Sequence, residues 1–152
     1  MNKLFAVIML LLIASCTSLG QYNLNTNKQD LVIEGYDVVN YFTEGSAAKG
    51  SAQFSYNYQG SVWHFKNQQH LDAFKNTPEK YIPQYGGYCA YAMSANRVVD
   101  IDPQAWSIHE DKLYLNYSKS VRWWWLKDKQ DFIISADKYW QQKVTNNELP
   151  QN

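Results

Sequence analysis

The stretch from Ala52 to Lys66, AQFSYNYQGSVWHFK, restricts the fold of this chain more than any other segment. Phe54, Tyr56 and Tyr58 recur at every second position and Gln59-Gly60 forms a break. Beyond it Val62, His64 and Lys66 alternate with Trp63 and Phe65. Residues two apart on a strand share a face, and a short Gly-containing break between two such runs reads as an antiparallel hairpin. WSIHEDKLYLNYS repeats the pattern. Ile108 leads into the turn Glu110-Asp111-Lys112, and Leu113, Leu115 and Tyr117 then alternate with Tyr114 and Asn116.

Helix signals follow each hairpin. Asn67 is a capping residue ahead of a stripe formed by His70, Leu71 and Phe74. Thr77-Pro78 and Asp102-Pro103 both read as a cap followed by proline at the first helical position, the second leading to Trp106. Gly86-Gly87 breaks the chain, and Tyr88 to Met93 begins a short helix. Ser118 caps a last helical region. Asp128 caps its second half, where Phe132 or Ile133, Ala136 and Tyr139 or Trp140 recur at helical spacing. Upstream, LVIEGYDVVNYFTEG reads as a turn followed by a short strand or extended segment. The expected fold is therefore α+β: two hairpins forming a small antiparallel sheet, packed with short helices and followed by a C-terminal helical region. The domain spans residues 31–143, and 144–152 form a flexible tail.

The N-terminus bears on compartment. Met1-Asn2-Lys3 is a short positive start, and Leu4 to Ile13 is an uncharged apolar run too short to span a bilayer, as in a signal peptide. It ends in Ile13-Ala14-Ser15-Cys16, similar to the lipobox of bacterial lipoproteins, in which cleavage exposes a cysteine for acylation. The reading is a signal peptide over 1–15, lipidation at Cys16 and a polar tether over 16–30. Thr17 is not the aspartate of an inner-membrane retention signal. In a Gram-negative host this places the protein on the inner leaflet of the outer membrane. The membrane is then a partner through the anchor.

Charge narrows the other partners. Lys and Arg number 14 and Asp and Glu 14, and removing Lys3 leaves 13 against 14, so no basic excess points to nucleic acid. With Cys16 acylated, Cys89 is the one thiol left, and no intramolecular disulfide forms. Twelve tyrosines and six tryptophans supply an aromatic-heavy core for a small domain. In Trp123-Trp124-Trp125, successive helical residues point about 100° apart, so all three cannot face one core. Either two pack inward and one lies half-exposed, or Trp123 and Trp124 serve contact with an envelope partner or a membrane surface.

Taken together, GYDVVNYF, KGSAQFSYNYQGSVWHF, PEKYIPQYGGYCAYAMS, DPQAWSI, KLYLNYS and ADKYW resemble the YHS domain family in its bacterial envelope form, from Gly35 to Trp140. The resemblance implies a small α+β domain and a distant link to YHS modules of copper-transporting ATPases, which carry metal through cysteines. Carried over by position, those cysteines fall at Asn40, Lys66 and His70, so the three thiolates are absent here.

A replacement set for Cu(I) is Cys89 and Met93, one turn apart on a helix, completed by His70 or His64, since soft thiolate and thioether ligands suit that ion. The same residues also read plainly, with Cys89 and Met93 as core, His64 on a strand, His70 near a helix start and His109 exposed beside a turn. The expected role is non-enzymatic binding, either copper handling or a metal-free interaction through aromatics. A second alternative is a thiol enzyme using Cys89 with a histidine base. No phosphate-binding glycine loop, paired-carboxylate motif or HExxH is present.

Overall fold

The structure is a computed structural model that describes residues 23–150. The expected signal peptide and Cys16, the expected lipidation residue, lie outside the described residues.

The two hairpins form where the alternation placed them. β1 (Ser51–Tyr58) pairs antiparallel with β2 (Ser61–Phe65), and β3 (Asp102–His109) with β4 (Lys112–Asn116). They are two separate two-stranded sheets and not one. One edge of each is taken by another segment of the chain. The Val32 amide donates to the Val62 carbonyl at 3.0 Å and the Val62 amide to the Asp30 carbonyl at 2.9 Å, which covers β2. Cys89 bridges Leu115 in parallel register and covers β4.

Helices fill the intervals: α1 (Val38–Thr43), α2 (Gln68–Asn76), α3 (Pro78–Tyr81), α4 (Ala90–Ser94), α5 (Lys119–Lys127) and α6 (Lys129–Asn146). Four side-chain caps start them, with Asn67 accepting from the His70 amide, Ser118 from the Val121 amide, Asp37 from the Val39 and Asn40 amides and the Cys89 sulfur from the Ala92 amide. Asp128 precedes α6 without a side-chain cap bond.

Two expected elements differ. Residues 38–43, read as extended, are helix α1, because the Asp37 cap outweighs the β-branched Val38 and Val39. Asp102-Pro103, read as a helix start, opens strand β3, where a proline at the strand's beginning costs no ladder bond.

The core has two parts. One gathers Val38, Val39, Tyr41, Trp63, Phe65, Phe74, Leu113 and Leu115 between the hairpins and α1–α3. The other gathers Tyr85, Tyr88, Met93, Tyr114, Trp125, Ile133 and Ala136 between α4, α5 and α6. Residues 23–30, assigned to the tether, join the fold: Leu24 is buried, and the Asn25 amide donates to the Gly86 carbonyl at 2.8 Å. At the other end α6 runs to Asn146, into the expected tail, and Leu149 is buried, while Val144 to Glu148 and Pro150 stay exposed.

Candidate functional site

Asp37 stands at the junction of the first hairpin and its helices and is fully buried. Its Oδ1 accepts from the Val39 amide at 2.8 Å and the Asn40 amide at 3.2 Å. Its Oδ2 accepts from the Lys66 amide at 2.8 Å and lies 2.6 Å from His70 Nδ1. A carboxylate has about four acceptor positions, so this one is saturated. His70 is only 7% exposed, because the Asn67 cap fixes its backbone at 2.8 Å while Asp37 fixes its ring. Its Nε2 is 3.4 Å from Thr43 Oγ1 and 3.9 Å from Glu44 Oε1. Lys66 Nζ reaches Glu44 at 2.7 Å, and that bond holds the Glu44 carboxyl below the usual carboxylate range.

Asn40, Lys66 and His70, the positions that resemblance assigns to the cysteines of related modules, thus converge on one carboxylate. Two reach it through backbone amides and one through a ring. Their side chains do not form a ligand set. Asn40 Nδ2 donates to the Ser46 carbonyl at 2.8 Å and hydroxyl at 3.0 Å, Lys66 points to Glu44, and His70 Nδ1 belongs to Asp37. The order Asp37–His70–Thr43 resembles a proton relay. However, the Thr43 hydroxyl donates to the Val39 carbonyl at 3.1 Å, so it is not an activated nucleophile.

Cys89 caps α4 and is 1% exposed. Its Sγ accepts from the Tyr117 amide at 3.3 Å and the Ala92 amide at 3.5 Å, and its S–H lies 3.8 Å from Asn116 Oδ1. Burial pushes the thiol above the ordinary cysteine range, and the neighbouring backbone N–H groups oppose this without reversing it. Asn116, also buried, accepts from the Tyr91 amide at 3.2 Å. The Met93 amide donates to the Cys89 carbonyl at 2.9 Å, which confirms the one-turn spacing. The side chains nevertheless part: Cys89 packs in the first core and Met93 in the second. His64 sits half-buried on β2, where burial first and Lys49 second push its ring below the usual imidazole range. His109, expected exposed, is half-buried, with Nε2 3.5 Å from Gln130 Oε1.

The set Cys89, Met93, His70 and His64 is therefore not brought together as copper ligands. Among the described residues no three His, Cys, Asp or Glu side chains are grouped to hold a metal ion. The residues present do not fit the metal that the resemblance implied.

The tryptophan run divides differently from the first expectation: one ring is buried and two are exposed. Trp125 is enclosed, with its ring centroid 5.2 Å from that of Tyr114 on β4. Trp123 and Trp124 are 54% and 55% exposed and meet edge to face at 4.7 Å. Lys127 Nζ lies over both, 3.6 Å from the first centroid and 4.4 Å from the second.

A small α+β fold of paired hairpins and short helices is the class these elements define. Within it the YHS domain model matches residues 39–85, so the chain contains a YHS domain running from α1 to the turn after α3. Comparison with curated proteins and with solved structures found no match. The matched segment holds Asn40, His64, Lys66 and His70. Cys89, Met93 and Trp123 to Trp125 lie beyond it, and Asp37 stands two residues before it. Sequence reading passed over Asp37 and Asn116. The cap position of Asp37 before Val38-Val39-Asn40 was the available signal for the first; nothing local marked the second.

Proposed function

We propose that this chain is a bacterial envelope protein, acylated at Cys16, whose YHS-containing fold works as a metal-free, non-enzymatic binding module. The observation that carries the reading is the saturated Asp37 carboxylate. It cross-links by hydrogen bonds the three positions where related modules place metal cysteines. A buried carboxylate with every acceptor position used is a structural tie and has no lone pair left to offer a ligand. The thiol alternative is disfavoured by the burial and raised pKa of Cys89, since the thiolate is the reactive form. Contact chemistry falls to the exposed Trp123 and Trp124.

The test is a Cu(I) titration of the mature chain against a competing chelator, with Cys16→Ser to isolate the fold from the anchor residue. The expected result is no stoichiometric binding. A tight site abolished by Cys89→Ala or Met93→Ala would overturn the metal-free reading. Acylation is tested separately, by the mass of the chain and by loss of membrane partition in Cys16→Ser. With Thr17 at the sorting position, the expected address in a Gram-negative host is the inner leaflet of the outer membrane.

A further inference from the structure

We infer that α5 seats on the phospholipid surface that holds the chain's own anchor, with Trp123, Trp124 and Lys127 as the contact. The inference rests on the proposed acylation of Cys16 and adds to it a second, non-covalent attachment.

The helix has one inward and one outward side. At about 100° per residue, Lys127 projects between Trp123 and Trp124, and Trp125 points roughly 160° away from Lys127. Trp125 is the buried keel against Tyr114, Arg122 Nε donates to Ser107 Oγ at 2.9 Å, and Ser118 caps the start, so the outward side has a fixed orientation. That side carries two indoles more than half exposed, with the partly exposed Leu126 beside them. Large apolar rings left outside at this level mark a contact surface.

The chemistry of the face selects the occupant. Lys119 and Lys127 flank the outward side of α5, which contains no Asp or Glu, while Arg122 turns toward Ser107. Indoles flanking an amine suit a headgroup layer, because the rings settle at the boundary between acyl chain and water while the ammonium meets lipid phosphate. Each cation near an anionic bilayer adds attraction.

Reach from the proposed anchor points to the same surface. Asn23 is the first described residue, and its carbonyl oxygen would lie 2.1 Å from a Cβ on Gly86, with Trp140 of α6 3.1 Å from the same point. From Cys16 to Asn23 the chain advances seven positions and spans at most about 25 Å. Along α6, Trp140 is eleven residues from Lys129, about 16 Å at helical rise, and α5 ends next to Lys129. An acylated Cys16 thus holds α5 within reach of the same leaflet, where the bilayer's effective concentration far exceeds that of any free partner.

The experiment uses the mature chain, acylated and as Cys16→Ser, on vesicles of phosphatidylethanolamine and phosphatidylglycerol containing brominated lipid. Quenching of tryptophan fluorescence is compared with a Trp123→Phe/Trp124→Phe variant. The expected result is quenching that this variant loses. In the Cys16→Ser chain, vesicle binding should weaken about tenfold on Trp123→Ser/Trp124→Ser and about fivefold on Lys127→Gln. Unchanged far-ultraviolet circular dichroism and an unchanged urea midpoint would verify that the fold around Trp125 stands. If the acylated chain partitions to vesicles but its quenching equals that of the double variant, the seating is overturned and the anchor stands; a protein partner would then be the face's occupant. If mass shows no acylation while Cys16→Ser still gives the expected quenching and binding losses, the anchor reading fails and the lipid-seating face survives.

Discussion

Replacing Asp37 by asparagine should destabilise the fold by about 2–4 kcal/mol, although it removes only a charge and adds one hydrogen pair. Asn keeps Oδ1 and therefore the two cap bonds to the Val39 and Asn40 amides. It replaces Oδ2 by an NH2 group facing the Lys66 amide, 2.8 Å away, and His70 Nδ1, 2.6 Å away. A hydrogen bond to a charged group is worth about 1.5–3 kcal/mol, and a buried donor facing a donor adds its desolvation cost. His70 recovers part of this by carrying its proton on Nε2 and accepting from the new amide, whereas the Lys66 N–H has no such option. Against a typical total of about 5–15 kcal/mol the loss is large. In urea, with a slope of about 1–3 kcal/mol per molar for small proteins, the midpoint should fall by roughly 1–2 M. The cycle Asp37→Asn, His70→Ala and the double variant should show coupling above about 1 kcal/mol. A loss below about 1 kcal/mol, or additive single effects, would refute the claim that this carboxylate ties the junction.

Three further outcomes are expected. Gly86→Ala should cost about 2–4 kcal/mol and speed proteolysis before Leu24, because φ is +60° and the new Cβ would meet the Asn23 carbonyl at 2.1 Å; Gly60→Ala, at φ +78° in open space, should cost only about 1 kcal/mol. Cys89 should react with a thiol reagent only as fast as the fold opens, giving a rate at least a hundredfold below that of urea-unfolded protein; reaction at the unfolded rate would contradict its burial. Burial raises the phenols of Tyr41 and Tyr85, and that of Tyr114 to about 12, above an unfolded value of about 10. Their contribution is therefore complete below pH 10 and is lost as pH rises beyond it, so these tyrosines should ionise in step with unfolding. Tyrosine absorbance that titrates fully near pH 10 with circular dichroism unchanged would rule this out.

What the sequence revealed depended on whether the signal was local and carried by large side chains. β1, β2 and β4 were legible because aromatic and aliphatic residues alternate along them. The start of β3 was hidden, because Asp102-Pro103 carries a helix-start signal and the buried Pro103 and Ala105 are too small to draw an apolar stripe; only its end, at Ile108, showed as part of the second hairpin. α1 was hidden by Val38 and Val39, whose strand preference is weaker than a cap that also serves as the tie to β2 and α2. The Asp37–His70 pair joins positions 33 apart in the chain, and no spacing rule reaches that far. For Trp123-Trp124-Trp125 helical rotation excluded a common face, but only the position of Tyr114 decides which ring turns inward.

The backbone itself explains how the matched YHS segment is joined to the half beyond it. Two runs of consecutive left-handed residues, Ile33-Glu34-Gly35 at φ 48°, 52° and 79° and Tyr85-Gly86-Gly87 at 55°, 60° and 85°, lie at either end of that segment. Left-handed geometry costs roughly 1–2 kcal/mol for a non-glycine residue, and more for the β-branched Ile33, so each turn must be over-determined by its surroundings. It is: Ile33 is buried, and a Cβ on Gly87 would stand 3.8 Å from its Cγ1, so the two turns pack together. Asn25 binds both glycines of the second turn, through its amide to the Gly86 carbonyl and its Nδ2 to the Gly87 carbonyl. The first turn delivers Tyr36 and Asp37 to the start of α1, and the second delivers Cys89 to the edge of β4. The N-terminal segment that would lead to the anchor is thus clamped where the two halves meet. A pull on that segment should therefore load both halves at once, leaving α5 and its outward tryptophans held against the same body.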